Sequence, residues 1–117
     1  MRHRVKKTGL RKSKGHVKAD LRNLVTNLFK HGKMQTTKKR AKLVSAIAEK
    51  VISNIKHKSD REAIRFLQQY ITEEAVSKKL LEMVKNQYQE KTSGYTSIYN
   101  LGIRVGDGAA KAIIQLN

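Results

Sequence analysis

Two stretches of the chain are rich in side chains that contact phosphate. Residues 1–16 carry seven lysines or arginines, two histidines and no acid, and a second group of cations occupies residues 38–42. Such cations neutralise phosphates and release counterions, arginine adds bidentate contacts, and histidine can stack on RNA bases. Together with Lys18 and Arg22, which lie between the two stretches, these side chains are the predicted contacts with a polyanion such as RNA: Arg2, His3, Arg4, Lys6, Lys7, Arg11, Lys12, Lys14, His16, Lys18, Arg22, Lys38, Lys39, Arg40 and Lys42.

The positive charge is concentrated in the first third of the chain. There are 26 lysines and arginines against 9 acids, a net charge of +17. Residues 1–42 hold 15 of these basic residues and a single acid, Asp20. The asymmetry predicts a basic arm, residues 1–16, joined to a single globular domain, residues 17–117. The arm has too few apolar residues to fold alone, so we expect it to order on RNA; a solvated tail is the alternative.

Several kinds of chemistry have no support in the sequence. There is no cysteine, and His3, His16, His31 and His57 form no close pair on one helical face. No nucleophile and base can be matched, and the glycine-rich stretch 102–108 lies between strands rather than before a helix. No apolar run approaches the ~20 residues of a membrane span. We therefore expect a cytoplasmic protein that is not an enzyme and has no metal, cofactor, small-molecule substrate or membrane partner.

The cations at 38–42 stand at the start of a predicted helix. Thr37 is a suitable N-cap, and the helix should run to about Lys56. Its predicted buried face is Ala41, Val44, Ala48, Val51, Ile52 and Ile55. Cations near a helix N-terminus oppose its dipole, whereas backbone amides there bind phosphate. A phosphate would thus relieve the conflict; the alternative is that these side chains are only solvated.

Three further helices follow from apolar stripes with a period of 3.6 residues. The first should run from about Val17 to His31, with Thr26 on its polar face. Ser59 and Glu62 form a capping-box pattern before the third, and Thr72 should cap the fourth. The predicted inner faces are Val17, Leu21, Leu24, Val25, Leu28 and Phe29; Ala63, Ile64, Leu67, Tyr70 and Ile71; and Val76, Leu80, Met83, Val84 and either Gln87 or Tyr88.

The period changes to two near the end of the sequence. Tyr95, Tyr99, Leu101, Ile103 and Val105 alternate with more polar residues, and a second alternation covers residues 110–116. The turn signal at residues 106–108 predicts an antiparallel hairpin with one face on the helices. A short strand around Met34 would complete a three-stranded sheet. The expected fold is α+β, with several helices on a small sheet in two layers.

Two tyrosines of this hairpin have alternative interpretations. Tyr95 and Tyr99 fall on the alternation assigned to the core, which favours burial. As the aromatics closest to the turn, they could instead be stacking platforms for RNA.

At this point the residues resemble a known family. The opening MRHR, the stretch 21–24, the segment from Met34 to Lys42 and the segment from Gly94 to Ile98 are similar to bacterial ribosomal protein seventeen of the large subunit. The similarity continues through residues 102–109 and covers essentially the whole chain in order. The chain departs from the family's usual residues at Gly32, Met34, Ser97 and Gln115.

The resemblance implies a structural role in the ribosome. It implies binding to large-subunit ribosomal RNA near the exit of the peptide tunnel, beside neighbouring ribosomal proteins, with no obligate homo-oligomer. It adds Arg104 to the expected RNA contacts. In this interpretation the arm threads between RNA helices, and the cations at 38–42 hold phosphates against the body.

Three other classes compete with it. An architectural DNA-binding protein would share the charge but should show a recognition helix, a wedge residue or a dimer seam. A small RNA-modifying enzyme or nuclease would need a cluster of acids, histidines or metal ligands. A cationic protein active on membranes is the third, since the first helix is amphipathic.

Overall fold

Four helices and three strands form the part of the chain that the computed structural model describes, residues 13–117. The helices are α1 (Lys14–His31), α2 (Lys38–Ile55), α3 (Asp60–Leu67) and α4 (Glu74–Gln87). The strands are β1 (Lys33–Thr37), β2 (Thr96–Ile103) and β3 (Ala110–Leu116). The α+β class and the three-stranded sheet are therefore confirmed.

The sheet has the order β1-β3-β2, and both neighbours run antiparallel to the central strand β3. Helix α2 packs on all three strands, and α1 packs on α2, α4, β1 and β3. Ala112 and Ile114 of β3 are fully buried beneath the helices. The alternation predicted for residues 110–116 is confirmed at these positions, and the helices and sheet form two layers.

The predicted helix faces agree closely with the core. All six positions predicted for α2 are buried, as are Val17, Leu21, Val25, Leu28 and Phe29 of α1. On α4, Tyr88 rather than Gln87 reaches the core, where its ring meets that of Tyr95 edge-on at 5.2 Å. The hydroxyl group of Tyr95 donates to the carbonyl of Lys91 and accepts from the amine of Lys56. These contacts fix the start of β2 against the end of α2.

Helix α1 starts earlier than the stripe predicts. It begins at Lys14 rather than about Val17, because the Ser13 hydroxyl caps it by accepting from the backbone N–H of His16. It ends at His31, as predicted, where Gly32 adopts a left-handed φ of 83° and closes the helix. Residues 14–16 thus belong to α1. The division into an arm and a body at residue 16 stays a prediction, since residues 1–12 lie outside the described residues.

The prediction that Thr72 caps α4 is wrong. The cap position is Glu73, which makes no side-chain cap bond, and α4 begins at Glu74. The backbone N–H of Thr72 instead donates to the hydroxyl of Thr26, 3.1 Å away. Thr26, expected on the polar face of α1, is buried and donates in turn to the carbonyl of Arg22. The bond from Thr72 to Thr26 holds the segment before α4 against α1.

The predicted inner face of β2 is also wrong. Tyr95 is buried, but it precedes the strand. Tyr99 and Leu101 are exposed, and Ile103 and Val105 are 71% and 99% exposed. Ile98, which is not among the residues predicted to face inward, stands opposite buried Ile114 and sets the inward face. A bulge between Asn100 and Gly102 then shifts the register, and the end of the hairpin carries its apolar residues into solvent.

Candidate nucleic-acid interface

The cations of residues 38–42 follow directly from the end of β1. Thr37 is the last residue of the strand and also the N-cap of α2, where its hydroxyl accepts from the backbone N–H of Arg40 at 3.4 Å. The strand therefore leads into the helix without a loop. The first turn of α2 contains no acid. The positive end of the helix dipole and the lysine charges thus lie together, an arrangement that favours a bound anion.

A cleft of about 510 Å³ opens beside this helix start. Lys38, Lys39 and Lys42 line it, while Arg40 is half-buried and does not. The opposite wall is formed by Ala109 and Ala110 at the beginning of β3. Their methyl groups leave room for a ligand and contribute no competing charge. The structure therefore brings three of the four predicted cations around one space that could hold a phosphate.

The pairing of the strands explains why these distant segments meet. Thr37 stands opposite Lys111 in the antiparallel pair of β1 and β3. The start of β3 must therefore lie beside the start of α2. Ala109 and Ala110 were absent from the predicted site, and the only sequence signal that could have found them is the turn that precedes β3.

Lys18 and Arg22 line a different groove. It lies between α1 and the residues after α3, and Gln68, Gln69 and Tyr70 form its other wall. One guanidinium nitrogen of Arg22 donates to the carbonyl of Gln68 at 2.7 Å. Arg22 thus already ties α1 to the end of α3, while Lys18 is exposed to solvent. Contact of either residue with RNA stays a prediction.

Arg104 lies in the hairpin turn, where it forms a bidentate pair with Asp107. Its Nε donates to Oδ1 at 3.0 Å, and its Nη2 donates to Oδ2. Asp107 Oδ1 also accepts from the backbone N–H of Ala109 at 3.1 Å, which confirms Asp107 as a turn residue. The bond from Arg104 and the backbone bond lower the pKa of Asp107 to about 2. Any phosphate at Arg104 would share the guanidinium with this carboxylate.

The hairpin turn should therefore show a defined dependence on pH. We expect Arg104→Gln to raise the pKa of Asp107 from about 2 towards its ordinary value of 3.8. Because the pair depresses the folded-state pKa, its stabilisation is complete above about pH 4 and is lost as the pH falls towards 2. Carboxyl-carbon NMR titration measures the shift. Arg61→Gln removes the same charge from an exposed site on α3 and should leave the pKa of Asp107 unchanged. An equal shift of that pKa in the Arg61→Gln variant would contradict the pairing of Arg104 with Asp107.

The other predicted contacts belong to the N-terminal segment. Arg2, His3, Arg4, Lys6, Lys7, Arg11 and Lys12 lie outside the described residues. Lys14 is placed only as the first residue of α1, and His16 is exposed in the first turn of that helix. These contacts stay predictions.

Other kinds of site find no support in the described part of the chain. Within residues 13–117, no group of three or more histidines or acids could hold a metal ion. The same residues contain no helix of the length and apolar character needed to cross a membrane.

Similarity to known proteins covers most of the sequence. Residues 20–117 match the family described as ribosomal protein L17. The chain belongs to the ribosomal protein L17 family. A relative named large ribosomal subunit protein bL17, from Clostridium botulinum (strain Loch Maree / Type A3), is 48% identical over 99 residues, 85% of this chain and 87% of the relative. Proteins of the same name are 48% identical in Clostridium acetobutylicum, over 85% and 86% of the two chains, and 46% identical in Clostridium kluyveri, over 86% and 88%.

Membership of the L17 family confirms the resemblance drawn from the sequence. The chain is a structural component of the large ribosomal subunit, and its predicted location in the ribosome, and hence in the cytoplasm, agrees with the family. The relatives are named as subunit proteins, which agrees with the prediction that the chain is not an enzyme.

Proposed function

We propose that this chain binds large-subunit ribosomal RNA and stabilises its folded state during assembly. The observation that carries the proposal is the cleft at the start of α2. Lys38, Lys39 and Lys42 surround it, the first turn of the helix has no acid, and its far wall consists of alanines. A phosphate there would satisfy both the lysines and the helix dipole.

The basic arm extends this interface. Residues 1–16 hold seven lysines or arginines without an acid. Residues 14–16 begin α1, and we expect the segment before them to thread between RNA helices. The cations of α2 would then hold phosphates against the folded body. The energetic basis of both contacts is the release of counterions, which makes binding sensitive to salt.

Co-sedimentation after a high-salt wash tests the function. A tagged copy of the full chain is expressed, the lysate is washed in high salt, and large subunits are separated on a sucrose gradient. The chain should stay with the large subunit, because an arm interlocked with folded RNA resists a wash that strips simple polyelectrolyte binding. Recovery at the top of the gradient would leave only loose binding to nucleic acid and would contradict the proposal.

The position within the subunit is a further part of the proposal. We propose that the chain lies near the exit of the peptide tunnel, beside neighbouring ribosomal proteins, as the family resemblance implies. A photo-crosslinker introduced at exposed Lys42 should, in intact large subunits, join the chain to RNA or proteins that line this exit. Crosslinks only to distant parts of the subunit would contradict that position.

A further inference from the structure

One face of the sheet is left open by the described part of the chain. The helices pack on the face that carries Ala112 and Ile114. On the opposite face, the strand register aligns Gln35, Ile113 and Tyr99 in one row across β1, β3 and β2. Gln35 is exposed, and the Tyr99 side chain is 52% exposed. On the outer face of the sheet, this row therefore places an aromatic ring beside an aliphatic side chain, where a partner could contact both.

The charge of this open face has a single sign. The register assigns to it Lys33, Gln35, Lys111, Ile113, Gln115, Ser97 and Tyr99. None of these is an acid, and the two lysines stand in the rows on either side of the tyrosine. Glu49, which accepts from the hydroxyl of Thr96, lies on the helix side of the sheet. A partner that satisfies Lys33 and Lys111 must therefore bring its own negative charge.

We propose that the open face holds an unpaired nucleotide of RNA, with its base stacked on Tyr99. Every base has a face that stacks on an aromatic ring, and RNA-binding proteins use exposed aromatics on sheets in this way. Neighbouring rows of a sheet lie within reach of long side chains, so Lys33 or Lys111 can contact the phosphate of the same nucleotide. The proposal rests on the RNA-binding function proposed above and adds a second contact surface to it.

RNA fits this surface better than a protein segment does. A protein strand that covered Tyr99 and Ile113 would also have to cover two lysines, and desolvating them without an acid is costly. An RNA strand supplies a flat apolar base and a phosphate within one residue. The net charge of +17 favours the polyanion further.

Affinity for protein-free large-subunit ribosomal RNA tests the proposal in the full chain. Tyr99→Leu keeps the apolar bulk and removes the aromatic ring, whereas Tyr99→Phe keeps the ring. We expect Tyr99→Leu to weaken binding by about 5- to 150-fold, the range for loss of one stacked base, and Tyr99→Phe to bind like the original protein. The salt dependence of binding should be unchanged, since no charge is removed.

Ile103→Ala is the matched control, because Ile103 is exposed on the same hairpin but lies outside this row. Its RNA affinity should not change. Thermal unfolding of each variant shows whether it is folded. If Tyr99→Leu is not folded, the comparison is made instead between Tyr99→His, which keeps a smaller aromatic ring, and Tyr99→Ala. Tyr99→His should then bind RNA better than Tyr99→Ala.

Three other outcomes are distinguishable. If Tyr99→Leu binds like the original protein while neutral variants of Lys38, Lys39 and Lys42 bind weakly, RNA binding stands and the stacking proposal is overturned. If none of these variants changes the affinity, neither the open face nor the α2 cleft contacts the RNA, and both are overturned as binding surfaces. If Tyr99→Leu binds protein-free RNA normally but is lost from large subunits on a gradient, a neighbouring protein covers this face. The proposal that RNA binds there is then overturned.

Discussion

Replacing all three lysines of the α2 cleft, Lys38, Lys39 and Lys42, with glutamine in one variant should lower the affinity for large-subunit ribosomal RNA by about 100-fold at 0.1 M salt. Each phosphate contact with RNA contributes about 0.7 to the slope of log affinity against log salt concentration. Three lost contacts therefore reduce the slope by about 2, and this deficit amounts to roughly two decades of affinity at 0.1 M salt. Filter binding across a series of salt concentrations measures both quantities.

The stability of the free protein should not fall in this triple variant. Lys38 and Lys39 stand in the first turn of α2, which has no acid, and cations there oppose the helix dipole. Their removal takes away an unfavourable interaction in the absence of RNA. Urea unfolding should therefore give a free energy of unfolding close to that of the original protein, since lysine contacts at a protein surface contribute at most about 1 kcal/mol. Loss of RNA affinity without loss of stability would identify a site selected for binding rather than for folding.

A charge-matched control distinguishes RNA contacts made in the α2 cleft from a general effect of the protein's net charge. Lys78, Lys79 and Lys85 are exposed residues of α4. Lys78 lies 3.6 Å from Glu74 of the same helix. Lys85 lies 2.7 Å from Asp60. Replacing these three with glutamine removes the same net charge, but we expect a much smaller change in the salt slope. Equal slopes for the two triple variants would mean that net charge alone governs binding and that the α2 cleft has no special role.

The helix faces could be predicted because they are local properties of the sequence. The stripe from Ala41 to Ile55 needs only the 3.6-residue period to place all six side chains on one side. Thr37 could be identified as a cap for the same reason, since the cap bond joins residues three apart. No knowledge of distant segments is needed for either inference.

The face of β2 could not be predicted, because a strand alternation has two possible phases. Tyr99 and Ile98 are adjacent and both apolar, so the sequence permits either to point inward. Pairing with β3 decides between them, because it sets Ile98 opposite buried Ile114 and leaves Tyr99 on the open face. The bulge after Asn100 then changes the phase again. The exposure of Tyr99 therefore could not be predicted, because it depends on pairing with a strand that is distant in sequence.

The α2 cleft shows the same division between local and long-range information. Its lysines could be identified from their unfavourable place at a helix start. Its far wall could not, since Ala109 and Ala110 reach the cleft only through the antiparallel pairing of β1 and β3. Thr72 is a further case. A threonine at this point of the sequence suits a helix cap, but a bond from its backbone N–H to buried Thr26 holds it against α1. In each case the deciding contact joins segments far apart in sequence.

Truncating Ile114 should produce the largest loss of stability expected on the sheet. Ile114 is fully buried on the central strand, opposite Met34 of β1 and Ile98 of β2. Ile114→Ala removes a side chain that both outer strands and the helix layer share, and the cavity left behind adds to the lost burial. We expect the free energy of unfolding to fall by about 2–5 kcal/mol. Urea unfolding followed by circular dichroism measures it, with an unchanged m-value indicating that the unfolded state is the same.

Ile103→Ala makes the same chemical change at a position that is 71% exposed on the neighbouring strand. Its cost should stay below about 1 kcal/mol, the span of strand propensities, because little apolar surface is lost from the core. Comparing the two isoleucines tests whether the end of β2 is exposed, as the structure has it, or buried, as the alternation in the sequence predicts. An alternation that turned Tyr99, Leu101 and Ile103 inward would make Ile103→Ala as costly as Ile114→Ala. The exposure of Ile103, which lies opposite Ala110 at the end of the hairpin, requires a clear difference from buried Ile114.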